Sequence, residues 1–204
     1  EIEKNNQPSY NLFLVDCTTF VVNVYSLTLS KDYDEFIKNY TKLFYYSNEI
    51  RFDTRIHFTE DRIINSVYFK KIEIPKLNVI RDSAELILNQ KIDNTKLIDI
   101  DFSKKIKIEY YAFNEKNAEI INDFFMNNNE ILGICFVRKK HIKDGHFIAH
   151  EGFVVDDLLV HSSREKGKVC AMKDFSEYMK AAKFDGFLLF TVDLSKFVIL
   201  GYKL

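Results

Sequence analysis

A chain of 204 residues that is 47% hydrophobic is long enough to fill one core and short for two, so a single domain over residues 1–204 is expected. The 29 Lys and Arg nearly balance the 30 Asp and Glu, and the net charge of −1 gives no global field to attract nucleic acid or an anionic membrane. Six Gly and two Pro exclude a low-complexity chain, nineteen Phe and eleven Tyr point to an aromatic core, and no apolar run is long enough to cross a bilayer. No basic-then-apolar leader opens the sequence; the first residue is Glu1, as expected of a processed or trimmed chain, so a removed export signal remains open.

The first patterned segment is Val15-Asp16-Cys17-Thr18-Thr19-Phe20-Val21, where an apolar extended stretch turns into a helix. Asp16 is a good N-cap, and Phe20, Val21, Val24 and Leu27 recur at helical spacing, which puts Cys17 in the first turn. A thiol there sits near unpaired backbone N–H groups and the positive end of the helix dipole, which lowers a free pKa of about 8.5 by one or more units. A buried structural cysteine is the competing reading. Next, Ser30 reads as an N-cap, with Asp32, Asp34 and Glu35 in the first turn. The stripe Tyr33, Phe36, Ile37, Tyr40, Leu43 and Phe44 marks an amphipathic supporting helix.

Residues 83–90 and 117–126 read as short helices, with 106–111 an alternating strand between them. Strands at 131–138, 147–155, 158–163 and 186–192 are expected to build an antiparallel sheet with a helix at 174–182 on its face, an α+β arrangement. The three cysteines allow a Cys135–Cys170 bridge in an oxidising compartment. Three reduced thiols are the favoured reading, because Cys135 lies in an apolar strand.

Asp156-Asp157 joins two of these strands as a hairpin turn, so His150 and His161 are expected close together on neighbouring strands. Each histidine alone is more often a satisfied core residue. Together with Cys17 they form the inventory of a cysteine hydrolase: a nucleophile, a base, and a polar group that fixes the base's tautomer. The Cys17 backbone N–H, in a first helical turn, would be one oxyanion donor.

In residues and order, Asp16-Cys17, His150-Glu151-Gly152 and His161-Ser162-Ser163 resemble the motifs of the NlpC-type papain-like cell-wall hydrolases. Within that superfamily the chain is most similar to the bacterial N-acetylmuramoyl-L-alanine amidase-like branch. The similarity is carried by Asp16-Cys17-Thr18-Thr19-Phe20-Val21, Arg55-Ile56-His57-Phe58, Lys168-Val169 and Gly186-Phe187-Leu188-Leu189-Phe190, and runs from about residue 15 to 190. The resemblance implies a papain-like fold with the nucleophile at a helix N-terminus, Cys17 as nucleophile, His150 as base and His161 as the orienting residue. It implies hydrolysis of an amide in peptidoglycan or its fragments, at the sugar-to-L-alanine bond or inside the stem peptide, without a cofactor or metal, in the periplasm or after secretion. Arg55 and His57 would lie near the cleft, Arg55 suited to pairing with a substrate carboxylate; an ion pair with Glu60 or Asp61 is its structural alternative.

Two positions depart from the pattern: Gly133-Ile134 replaces a common Gly-Asp, and Ser162 takes the small-residue place in the second histidine motif. The run Arg138-Lys139-Lys140-His141, with Lys143, Arg164, Lys166 and Lys168, flanks the hairpin, either drawing anionic wall fragments or forming a solvated face. Three other readings stand beside the hydrolase. Zinc held by Cys17, His57, His150 and His161 lacks any short paired-ligand spacing. A rearranged relative, acting as an acyltransferase or lipid-directed hydrolase, would use Cys170, which follows His161 too closely and lacks an Asp-Cys helix start. A non-catalytic cell-wall binding module would keep the cleft without turnover.

Overall fold

The computed structural model describes residues 8–47, 49–127 and 129–197; Glu1 lies outside them. In chain order these residues form α1 (Cys17–Thr28), α2 (Tyr33–Phe44), α3 (Thr59–Asn65), β1 (Phe69–Ile72), β2 (Arg81–Leu88), β3 (Lys104–Ala112) and α4 (Ala118–Met126). Then follow β4 (Leu132–Val137), β5 (Ile148–Val155), β6 (Leu158–Ser163), β7 (Lys168–Met172), α5 (Phe175–Ala182) and β8 (Gly186–Val192). The strands make one antiparallel sheet in the order β2-β3-β8-β4-β5-β6-β7, with β1 also paired to β8.

Both faces of this sheet are covered. Along β8, Phe187 and Leu189 point to one face and Leu188, Phe190 and Val192 to the other, following the two-residue period of a strand. The first face packs against Ile121 and Phe125 of α4 and Phe175 and Met179 of α5. The second packs against Val21, Val22 and Tyr25 of α1 and the aromatic stripe of α2. Covered on two sides, β4 reads as an unbroken apolar run, Leu132 to Val137, all buried.

Several elements differ from the sequence expectation. Residues 83–90 lie mostly in a strand, β2, and not in a helix. Ala84, Glu85 and Leu86 are good helix formers, but Leu86 and Leu88 turn inward while Glu85 and Ile87 face solvent, and the whole of β2 pairs with β3. The cap of α2 is Asp32, which accepts the Glu35 N–H at 2.9 Å. Ser30 instead donates to Ser26 O and closes the end of α1. The elements α3, β1 and β7 were not read from the sequence. All three cysteines are free thiols.

Two irregularities position the site. The β5–β6 ladder runs from Val155↔Leu158 to Phe153↔Val160 and ends there, one step before Gly152 and His161. On the other side of β5, Phe136 pairs with His150 but Val137 with Ile148, which leaves Ala149 as the extra residue of a β-bulge.

Candidate active site

The N-terminus of α1 sits against β5 and β6, near the end of their ladder. Asp16 Oδ1 accepts the Thr19 N–H at 2.7 Å and Thr19 Oγ1 accepts the Asp16 N–H at 3.0 Å, a reciprocal capping box that fixes Cys17 as the first helical residue. Ser162 Oγ on β6 donates to Val15 O at 2.8 Å and ties the entering chain to the histidine strand. Cys17 is partly buried here, its sulfur facing the backbone N–H of Glu151 and the Thr18 hydroxyl.

His150 and His161 meet. Nε2 of His150 lies 2.8 Å from Nδ1 of His161, with the rings nearly perpendicular. This contact uses up one nitrogen of His150 and leaves Nδ1 for any other partner. Aromatic rings surround the pair. Phe136 and Phe184 stack parallel to His150, their centroids 5.9 and 6.4 Å away, and the Tyr178 ring of α5 lies 4.9 Å from His161. Arg138 sits over Phe184 and donates to Ala182 O, so the first residue of the basic run is a structural partner of this collar. Lys139 pairs with Asp82.

Behind the site lies a buried ionic layer. Glu151, the residue after His150, pairs with Arg62 of α3; each side chain is 1% exposed. Thr59 Oγ1 donates to the other Glu151 oxygen at 2.9 Å. Glu60, equally buried, accepts the backbone N–H groups of Phe147 and Ile148.

These surroundings set the protonation states. Burial pushes the Cys17 thiol up to about 12, with the Glu151 and Asp16 carboxylates adding to the effect. The expected lowered thiol is therefore corrected: desolvation and two nearby carboxylates outweigh the pull of the amides at the helix start. Burial, then the charge of His161 and of Arg138, lowers His150 to about 4. At neutral pH the resting pair is thiol and neutral imidazole.

Cys17, His150 and His161 are thus brought to one place. Arg55 and His57 precede α3, and their described contacts are with its upstream neighbours. The Arg55 guanidinium lies over the Phe44 and Phe52 rings, and His57 Nε2 is 2.6 Å from Phe52 O. Glu60 and Asp61, weighed as ion-pair partners of Arg55, turn inward to β5 and to Tyr46, Asn65 and Lys104. Among the described residues no group of three His, Cys, Asp or Glu side chains is arranged to hold a metal.

A family model described as AmiA-like, N-acetylmuramoyl-L-alanine amidase-like, matches residues 1–187. The chain belongs to the AmiA-like family. Solved structures that the AmiA-like chain resembles include a protein from Legionella pneumophila, at 18% identity over 93% of this chain and 80% of that one, with a TM-score of 0.71. An N-acetylmuramoyl-L-alanine amidase from Bacteroides uniformis matches at 17% identity over 88% and 85%, with a TM-score of 0.60. A proposed xylanase from Bacteroides fragilis matches at 16% identity over 93% and 90%, with a TM-score of 0.64. At these identities the likeness is one of fold. No curated protein matches the sequence.

Sequence reasoning missed four parts of this candidate site: Tyr178, Glu151, Arg62 and Glu60. Tyr178 lies on a helix whose register against the histidines no local pattern reveals. The acidic and basic residues of α3 carry the composition of a solvated turn, and the burial of Glu60 and Arg62 follows from partners about ninety positions away.

Proposed function

We propose that the chain is one papain-like domain and a cysteine amidase acting on peptidoglycan or its fragments, in the periplasm or after secretion. The observation that carries the reading is the 2.8 Å His150–His161 contact beside Cys17 at the start of α1. With Nε2–H donated to His161, the free Nδ1 of His150 is the lone pair that takes the thiol proton as Sγ attacks the amide carbonyl carbon. His150 then returns that proton to the leaving nitrogen as the C–N bond breaks. A water deprotonated by His150 opens the thioester, releasing the acid and restoring the thiol. His161 holds the tautomer that keeps Nδ1 unprotonated. The Cys17 N–H, first in the helix, is a donor for the oxyanion. No resting thiolate is required: the proton moves during attack, which suits a thiol pushed up and an imidazole pushed down.

The test combines digestion of muropeptides, product mass analysis and iodoacetamide mapping across pH. Cys17→Ala and His150→Ala are expected to lose about 10³-fold or more in kcat, and His161→Ala less. The acid limb of kcat/KM is expected near pH 4, because His150 must be neutral to act and is neutral above its lowered pKa. Cys17 alkylation is expected to climb through the alkaline range. Unchanged turnover in Cys17→Ala would sink the cysteine mechanism, and muropeptides left intact by the parent would sink the substrate class.

A further inference from the structure

His150 stands one residue past the bulge at Ala149, where β5 loses register with β4. Bulges re-aim side chains and leave ladder groups without partners. Here the two amides before the bulge, those of Phe147 and Ile148, both donate to Glu60 Oε1, the second at 2.6 Å. The Glu60 side chain arrives from the first turn of α3, 87 residues before Phe147 in the chain. On the far side of His150, Glu151 is held by Arg62 and Thr59 of the same helix. A seven-residue helix therefore grips β5 at 147–148 and at 151 and brackets the histidine. For the Arg62–Glu151 pair packing alone does not require this, since well-fitted apolar groups commonly replace buried ion pairs at no loss of stability; at Glu60 an apolar group would strand two backbone N–H groups. What the ionic grip adds is direction: a carboxylate oxygen fixes where two N–H vectors point.

We propose that Glu60 is a positioning residue, whose carboxylate oxygen holds the bulge before His150 and so sets the aim of the imidazole at His161 and towards Cys17. The proposal rests on the reading of His150 as the base.

The experiment compares Glu60→Gln with Glu60→Asp in the full chain. Gln keeps an acceptor oxygen at the same reach; Asp keeps the carboxyl but withdraws it by one methylene. The expected result is kcat within about fivefold of the parent for Gln and a fall on the order of 10²-fold for Asp, with KM little changed, the scale of effect of a misplacement near 1 Å. A second readout needs no substrate. NMR titration of the labelled histidines should show His150 rising from about 4 towards an ordinary histidine value in the Asp variant. The charged and titratable groups facing His150 in that titration are His161 from β6, Arg138 after β4, Tyr178 from α5 and, on the reading of His150 as its base, Cys17 from α1. Because it reads only the ring, it tests positioning even if the chain cuts no amide. Parental kcat and His150 titration in the Asp variant would overturn the proposal, as would equal losses in Gln and Asp. If Glu60→Asp does not fold, Glu60→Gln carries the test alone: a His150 titration near 4 with kcat within about fivefold of the parent is expected, and a loss on the order of 10²-fold in a folded Gln variant overturns the proposal.

Discussion

Gly152 explains at the level of one atom why a glycine stands two places after His150. A Cβ at this position would lie 2.6 Å from Val160 O and 2.9 Å from His161 Cβ, so β6 approaches β5 through the space a side chain would fill. That approach is what carries His161 to within hydrogen-bond reach of His150. Gly152→Ala must push β6 outward, at a cost of about 1–3 kcal/mol from overpacking, to be read by urea unfolding. Its more specific consequence is on the acid limb. The charge of His161 is one of the causes that lower His150, so separating the rings is expected to move the limb upward from near 4 and to reduce kcat. A Gly152→Ala variant with the parental limb would show that the close approach does not serve the histidine pair.

At the scale of elements, α3 is the part the sequence hid. Cys17 at the start of α1, the hairpin carrying His150 and His161, the α2 stripe, α4, α5 and the strand β3 were legible because apolar residues repeat at the period of the element they form, and β4 and β8 because they are short unbroken apolar runs. β2 was not, since helix-forming residues were overridden by pairing with a strand some twenty positions on. Thr59-Glu60-Asp61-Arg62 was hidden for a different reason: three consecutive charged residues read as solvent-facing, yet they are 2%, 1% and 1% exposed. Nothing local announces partners on β5. The Arg62–Glu151 pair then makes a prediction at this scale. Arg62→Met leaves Glu151 a buried unpaired carboxylate and is expected to cost about 3–5 kcal/mol in urea unfolding. Adding Glu151→Leu to it is expected to recover much of that loss, because the stranded charge is gone. A double variant no more stable than Arg62→Met would mean that the cost lies in packing and not in the stranded charge.

For the whole molecule, the histidines couple stability to acid. His150 is lowered to about 4, and His141, His146 and His161 are lowered as well, burial being the first cause for each. His141 and His146 form a second ring pair, 4.5 Å apart, with both Nδ1 atoms buried and without hydrogen-bond partners. In the unfolded chain these groups take up protons near pH 6.5, whereas the folded chain resists until the pH is lower. The unfolded state therefore binds more protons across that window, so stability rises with pH there and is lost as pH falls from about 6.5 towards 4. At about 1.4 kcal/mol per unit, His150 alone accounts for at most about 3–4 kcal/mol. Asp82 and Asp193, held down to about 2 by hydrogen bonds with Tyr110 and Lys139 and with Lys70 and Ser195, lose their contribution only below their ordinary range, near 3.8. Acid should thus act in two stages, histidines first and carboxylates after. Melting temperatures measured between pH 7 and 4 are expected to fall in the parent, and to fall less steeply but still measurably in His150→Gln, because three lowered histidines remain. A flat parental curve would mean that these imidazoles stay protonatable in the fold, and the neutral base on which the proposed chemistry depends would lose its physical ground.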